Sequence, residues 1–171
     1  TWSPDGRFIA YSSNQSGNFD IWVQPLGGGR AVQVTTDPAS DWQPAWSPDG
    51  NSLAFRSERD GGGIFLVPAL GGRERRLASF GEWPAWSPDG QTLALTLSRE
   101  GGSQLFLIGR NGGEPRRVTS SPSIDTEPVF TPDGRQVFFV SDRGGGPQVY
   151  RMPATGGNAE RVTFTGNYNI S

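Results

Sequence analysis

At 171 residues the chain is of one-domain length, yet only 33% of it is hydrophobic, too little for helices packed on a sheet around one dense core. A formal charge of -2 with no run of like charge gives neither a nucleic-acid surface nor a polybasic membrane patch, and no apolar stretch approaches the length of a membrane span. All 15 basic residues are Arg, and Cys 0 and His 0 exclude disulfides, thiolate chemistry and any Ser-His or Ser-Lys nucleophile within the chain.

Taken in chain order, the elements repeat. Trp-Ser-Pro-Asp-Gly stands at Trp2–Gly6, Trp46–Gly50 and Trp86–Gly90, and Phe-Thr-Pro-Asp-Gly at Phe130–Gly134, at spacings of 44, 40 and 44. An apolar triplet follows each motif: Ile9-Ala10-Tyr11, Leu53-Ala54-Phe55, Leu93-Ala94-Leu95 and Val137-Phe138-Phe139. These are rich in β-formers and predict a second strand. After a polar loop comes a third strand, at Ile21-Trp22-Val23, Ile64-Phe65-Leu66, Leu105-Phe106-Leu107 and Val149-Tyr150. Each is followed by a Gly-Gly pair, at 28–29, 71–72, 112–113 and 156–157. Val34, Leu77, Val118 and Val162 mark a fourth strand, and the chain then crosses to Pro44, Pro84 or Pro128 to begin the next repeat.

The punctuation has physical causes. Pro presets φ at the first central position of a turn, Asp bonds the local backbone, and Gly takes the left-handed position that closes the hairpin. Asp5, Asp49, Asp89 and Asp133 are therefore read as turn residues and not as a ring of acids. Arg75-Arg76 and Arg116-Arg117 fall on outermost strands, where charge blocks edge-to-edge association.

One four-stranded sheet cannot bury two apolar faces alone, so the fold expected is all-β. It is a β-propeller domain over 1–171, of four blades at about 1–44, 45–84, 85–128 and 129–171. Overlaying the termini on Pro44-Ala45-Trp46 puts Ile170-Ser171 beside Thr1-Trp2. Either the chain completes its own first blade, or it is a segment of a longer propeller, or two copies form an eight-bladed ring.

Pro-Ala-Trp-Ser-Pro-Asp-Gly, the apolar triplet, Ser141-Asp142-Arg143, Pro147-Gln148-Val149-Tyr150 and Arg161-Val162-Thr163 together resemble the WD40-like (PD40) repeat of the TolB family, over the whole chain. The resemblance implies a bacterial propeller, a periplasmic or extracytoplasmic location, and a protein or peptide as partner. No segment reads as a signal peptide.

In a propeller the connections from strand four to one and from two to three share a rim, and the longer, more varied rim is the candidate site. It carries Asp41, Trp42, Glu82, Trp83, Asp125, Glu127 and Tyr168 on the first kind of loop, and Arg59, Arg99 and Arg143 on the second. Rigid aromatics with Arg suit peptide or protein binding. The plainer reading is that Trp42 and Trp83 cover blade junctions while the acids pair with the arginines.

No catalytic residue, cofactor or metal is expected. Oxygen ligands alone would restrict a metal to Ca²⁺ or Mg²⁺, and a carboxylate pair, Asp41 with Glu82 or Asp125 with Glu127, leaves a glycosidase or lyase as a minor alternative. The leading expectation is a non-enzymatic binding scaffold. A self-assembling propeller fragment or engineered repeat array without a ligand is the rival, with a homodimer as its partner. Nucleic acid and membrane insertion are not expected.

Overall fold

Each repeat begins at a turn tied by its own side chains. In Ser3-Pro4-Asp5-Gly6 the Ser3 hydroxyl donates to Asp5 Oδ1 at 2.6 Å, and the same oxygen accepts from the Arg7 amide at 3.0 Å. Ser3 Oγ in turn accepts from the Phe8 amide at 2.9 Å, and Gly6, at φ 67, donates to the Ser3 carbonyl. Ser47 with Asp49, Ser87 with Asp89 and Thr131 with Asp133 repeat the arrangement. Every donor and acceptor lies within five residues, so the turn forms from local sequence and sets the register of the strand that follows.

The computed structural model describes residues 1–165. Among these residues fifteen strands form four sheets, each a meander of sequential neighbours. The first sheet holds β1 (Phe8–Ser13), β2 (Asp20–Pro25) and β3 (Val32–Gln33). The second holds β4 (Asp41–Trp46), β5 (Ser52–Ser57), β6 (Gly63–Pro68) and β7 (Arg75–Ala78). The third holds β8 (Glu82–Trp86), β9 (Thr92–Arg99), β10 (Gly102–Gly109) and β11 (Arg116–Arg117), and the fourth β12 (Asp125–Phe130), β13 (Gln136–Ser141), β14 (Gln148–Pro153) and β15 (Glu160–Arg161).

Four strands were expected in every blade, and the first has three among the described residues. Among the described residues its inner edge meets Thr1, whose ammonium donates to the Ala10 carbonyl, and Trp2, which bridges to Ile9. The expectation that 170–171 complete this blade lies outside the described residues.

The chain divides into two compact units, Thr1–Pro84 and Ala85–Ser171. In the first, Ala10, Ile21 and Val23 of blade one pack against Leu53, Phe55, Phe65 and Val67 of blade two. In the second, Val137, Phe139, Tyr150 and Met152 of blade four pack around Leu105 of blade three. Each such Leu or Phe taken fully out of water contributes about 1.5–3 kcal/mol, and blade-on-blade packing is the main source of order in a sheet this small.

A threonine fastens strand four to strand three. Thr35, Thr119 and Thr163 each accept, through Oγ1, the amides of Ile21, Leu105 and Val149 at 2.9, 3.0 and 2.9 Å. Blade two has Ala78 there and brings the backbones together instead: a Cβ on Gly63 would lie 2.2 Å from the Ala78 carbonyl oxygen.

Candidate binding rim

The two kinds of rim loop meet within each unit. Glu58 donates its amide to the Ser40 carbonyl at 3.0 Å in the first, and Ile124 donates its amide to Asp142 Oδ1 at 2.8 Å in the second. At the centre of each meeting is an enclosed ion pair. Arg59 Nη2 donates to both carboxylate oxygens of Asp41 at 3.0 and 2.8 Å, and its Nε donates to Ser57 Oγ at 2.7 Å. Arg143 does the same to Asp125, at 2.8 and 2.9 Å, and to Ser141 at 2.9 Å. Both aspartates are 0% exposed.

The guanidinium is also seated on aromatic rings. Arg59 lies 4.7 Å from the Phe65 centroid and 5.7 Å from that of Phe55, while Arg143 lies 5.0 Å from Tyr150 and 5.2 Å from Phe139. A planar cation satisfies the carboxylate along its edge and the rings along its face, which lysine could not do. Arg59 additionally bonds Glu74 and lies 3.8 Å from Asp37. Burial pushes the Asp41 carboxyl above its usual range, against the hydrogen bonds of Ser57 and Thr35 and the charge of Arg59. Burial also raises Glu74, with Arg59 opposing and Asp41 and Asp37 adding to the rise.

Of the residues expected at a ligand, Asp41, Asp125, Arg59 and Arg143 are thus held by one another, which is the plainer arrangement weighed above. Asp41 and Asp125 are enclosed, with both oxygens of each bonded to arginine. Trp42 stacks on Phe19 with centroids 3.9 Å apart, covering the junction between blades one and two. Its indole N–H is enclosed without a hydrogen-bond partner. Glu82 is 3.8 Å from Arg56. Trp83 is 40% exposed, and Tyr168 lies outside the described residues. Arg99 is exposed at the end of β9: its repeat has Gly81 in the aspartate position and Leu97 where Ser57 and Ser141 stand, and β9 and β10 run on to a tight hairpin.

One feature escaped the sequence reading. Gln43, Trp83 and Glu127, which share one position of the repeat, have φ of 55, 51 and 53. The β4–β5 and β12–β13 registers slip beside Gln43 and Glu127, between Trp42 and Ala45 and between Thr126 and Val129, which identifies a β-bulge in the innermost strand. Gln43 Oε1 accepts the Trp83 amide at 2.7 Å. The only signal in the sequence was variability: this position changes from Gln to Trp to Glu, while a Pro follows it each time.

Among the described residues no group of three His, Cys, Asp or Glu is placed to hold a metal ion. No helix there is long and apolar enough to cross a membrane, which says nothing of β-barrels.

Comparison with known proteins agrees with this architecture. The structure superposes on a TolB from Agrobacterium tumefaciens with a TM-score of 0.87 at 28% identity, covering 96% of this chain and 61% of that one. A TolB from Acinetobacter baumannii gives 0.85 at 31% identity, covering 96% of this chain and 43% of the other. The chain therefore spans less than two thirds of the length of either. An oligogalacturonate lyase in complex with manganese shares the fold, with a TM-score of 0.72 at 16% identity, covering 95% of this chain and 50% of that one. No curated protein matches by sequence. The family model described as the TolB beta propeller domain, PD40, matches residues 1–83 and again 79–171, and this chain belongs to that β-propeller family.

Proposed function

We propose that the chain is a non-enzymatic propeller scaffold that engages a peptide or protein segment at its loop rim, in the periplasm or another extracytoplasmic space, a location that its membership of the TolB propeller family supports. The observation that carries this reading is the left-handed bulge. Bulky residues other than glycine at positive φ are outliers, each held at a cost of about 1–3 kcal/mol, and such outliers concentrate at ligand clamps. Folding alone would favour Gly or Asn at Gln43, Trp83 and Glu127. Gln43 uses its side chain inside the fold, on the Trp83 amide, but the large side chain of Trp83, 40% exposed, is accounted for by contact with something outside it.

Trp83 supplies rigid apolar area and Glu82 a charge beside it in the first unit. Glu127 and the exposed Arg99 serve the second. Asp41–Arg59 and Asp125–Arg143 act beneath them, fixing the loops that present these groups.

Selection of displayed random peptides against the chain tests the reading. Trp83→Ala is expected to weaken selected peptides at least tenfold, about 1.4 kcal/mol, and Arg99→Ala to weaken acidic ones. Arg7→Ala, on the opposite turn, should change nothing. Selection that yields no binder, or binders indifferent to Trp83→Ala, would refute it.

A further inference from the structure

We infer that the groove between blades one and two, on the rim of the Ser-Pro-Asp-Gly turns, is a docking point for an arginine side chain of a polypeptide partner. It stands on the rim opposite the loops and is independent of any ligand there. The repeat builds this groove twice, once inside each unit. In the first unit its volume is about 290 Å³, and Phe8, Trp46, Ala69 and Leu70 wall it. In the second its volume is about 370 Å³, and Thr92, Phe130, Ala154 and Thr155 wall it from the same positions of the repeat. In both, the turn glycine of the later blade faces the turn proline of the earlier one. A Cβ on Gly50 would meet the Pro4 ring at 3.9 Å, and one on Gly134 would meet Pro88 at 3.5 Å.

The two grooves differ in what crosses them. In the second unit Arg116, on the outermost strand of blade three, reaches over to blade four, where its Nη1 donates to the Thr155 carbonyl at 2.8 Å. Blade one has Val32 in that place, since Val32 pairs with Val23 as Arg116 pairs with Leu107. The Leu70 carbonyl is the counterpart of that of Thr155, and Val32 has no donor to offer it. The charge of the lining differs in the same sense. Asp89 and Arg116 balance in the second groove, whereas Asp5 and Asp49 stand with one guanidinium, that of Arg7, in the first. The tryptophan of the repeat also accepts this cation. Arg110, which holds in blade three the position of Ala69, lies 5.8 Å from the ring of Trp86, the counterpart of Trp46. A guanidinium bonds a carbonyl along its edge while its face lies on a ring, so the chemistry that fills the repeat elsewhere fits the groove of blades one and two from outside.

Titration of the isotope-labelled chain with the blocked peptide acetyl-Gly-Leu-Arg-Leu-Gly-amide, followed through its amide resonances, tests this. One side chain binds weakly, which titration detects and display selection does not. The amides of Gly50, Asn51, Ala69 and Leu70 are expected to shift, and less so at high salt. The same peptide with lysine in place of arginine should bind more weakly, and with citrulline, which keeps the shape and loses the charge, it should leave these amides still. Val32→Arg supplies the missing side chain from within and is expected to weaken the peptide by about tenfold. Arg116→Val opens the second groove and should bring Gly134, Ala154 and Thr155 into the response. Both positions are exposed, and circular dichroism checks that each variant keeps its fold. Neither belongs to the loop rim, so peptides selected there should bind both variants as they bind the parent, which separates this inference from the function proposed above. Amides of the groove that stay still, an equal response to citrulline, or a Val32→Arg chain that binds as the parent does would overturn it. So would an Arg116→Val chain whose second groove stays silent.

Discussion

Arg143 reaches back 18 residues along the chain to grip Asp125 with one guanidinium nitrogen on both carboxylate oxygens, at 2.8 and 2.9 Å. The carboxylate is wholly enclosed and the cation is 22% exposed, so the two ends of the pair are unequal. Loss of the arginine leaves a buried charge without compensation, while loss of the acid leaves a cation that can still turn toward water.

Arg143→Ala is accordingly expected to destabilise the protein by about 3 kcal/mol, and Asp125→Asn by less. The double variant should cost less than the sum, a coupling that a double-mutant cycle in urea measures directly. Arg99→Ala, at an exposed hairpin end, should fall within about 0.5 kcal/mol of the parent. Equal effects at Arg99 and Arg143 would mean that the enclosed pair contributes nothing to the fold.

Gly63 provides a sharper contrast. Its φ is 144 and a Cβ would fall 2.2 Å from the Ala78 carbonyl oxygen, with backbone and not a flexible side chain in the way. Gly63→Ala must separate β6 from β7 and is expected to cost more than about 3 kcal/mol. Gly101, at φ 91 with open space around it, should cost only the left-handed penalty, about 1 kcal/mol. The difference in urea midpoint between the two alanine variants reads the close approach of the strands separately from glycine's freedom.

How far the sequence carried depends on the distance over which each feature is determined. The Ser-Pro-Asp-Gly turns were legible because Ser3, Asp5 and Phe8 complete them locally. Pairing of rim acids with arginines was foreseen as the plainer arrangement. That Glu74 and Asp37 also meet Arg59 was not, since strands β5, β6 and β7 must pair before residue 74 approaches residue 59. Arg99 aligned with Arg59 and was grouped with it, although Gly81 and Leu97 remove the acceptors that hold its counterparts. The bulge was invisible because Gln43, Trp83 and Glu127 are not residues whose identity announces a left-handed backbone.

Five carboxylates fall into two groups of opposite sign on acid titration. Asp5 is held at about 2, below its ordinary 3.8, chiefly by the Ser3 hydroxyl and then by the Arg7 amide. Asp89 and Asp133 are lowered in the same way by Ser87 and Thr131 and by the amides of Gln91 and Arg135. A group with a lowered folded-state value lends stability above its unfolded value and withdraws it as pH falls through the folded one. Asp41 and Glu74, raised by burial, do the reverse: the fold takes up their protons more readily than the open chain, and so gains as pH falls toward the usual carboxylate range. The urea midpoint should therefore hold or rise slightly on mild acidification, then fall between about pH 4 and pH 2. Replacing Asp5, Asp89 and Asp133 together by Asn should flatten that acid limb. An unchanged limb would mean that the turn aspartates are not what acid dismantles.

The positive φ of Trp83 allows stability and binding to be read separately at one residue. Trp83 keeps φ at 51 with its amide bonded to Gln43 Oε1, and that bond belongs to the backbone, so it survives a change of side chain. Asn enters the left-handed region with much less strain than Trp and keeps the amide. Trp83→Asn gives up the part of the side chain that the fold covers, since Trp83 is only 40% exposed, and sheds part of the backbone strain. The expected outcome is a urea midpoint lowered by no more than about 2 kcal/mol, the lost contact being partly offset by the relieved strain, together with loss of peptide binding. If the tryptophan were there only to cover a blade junction, the same substitution would lower the midpoint and leave the binding of peptides unchanged. Measuring both quantities on one variant therefore decides whether Trp83 serves the fold or a partner.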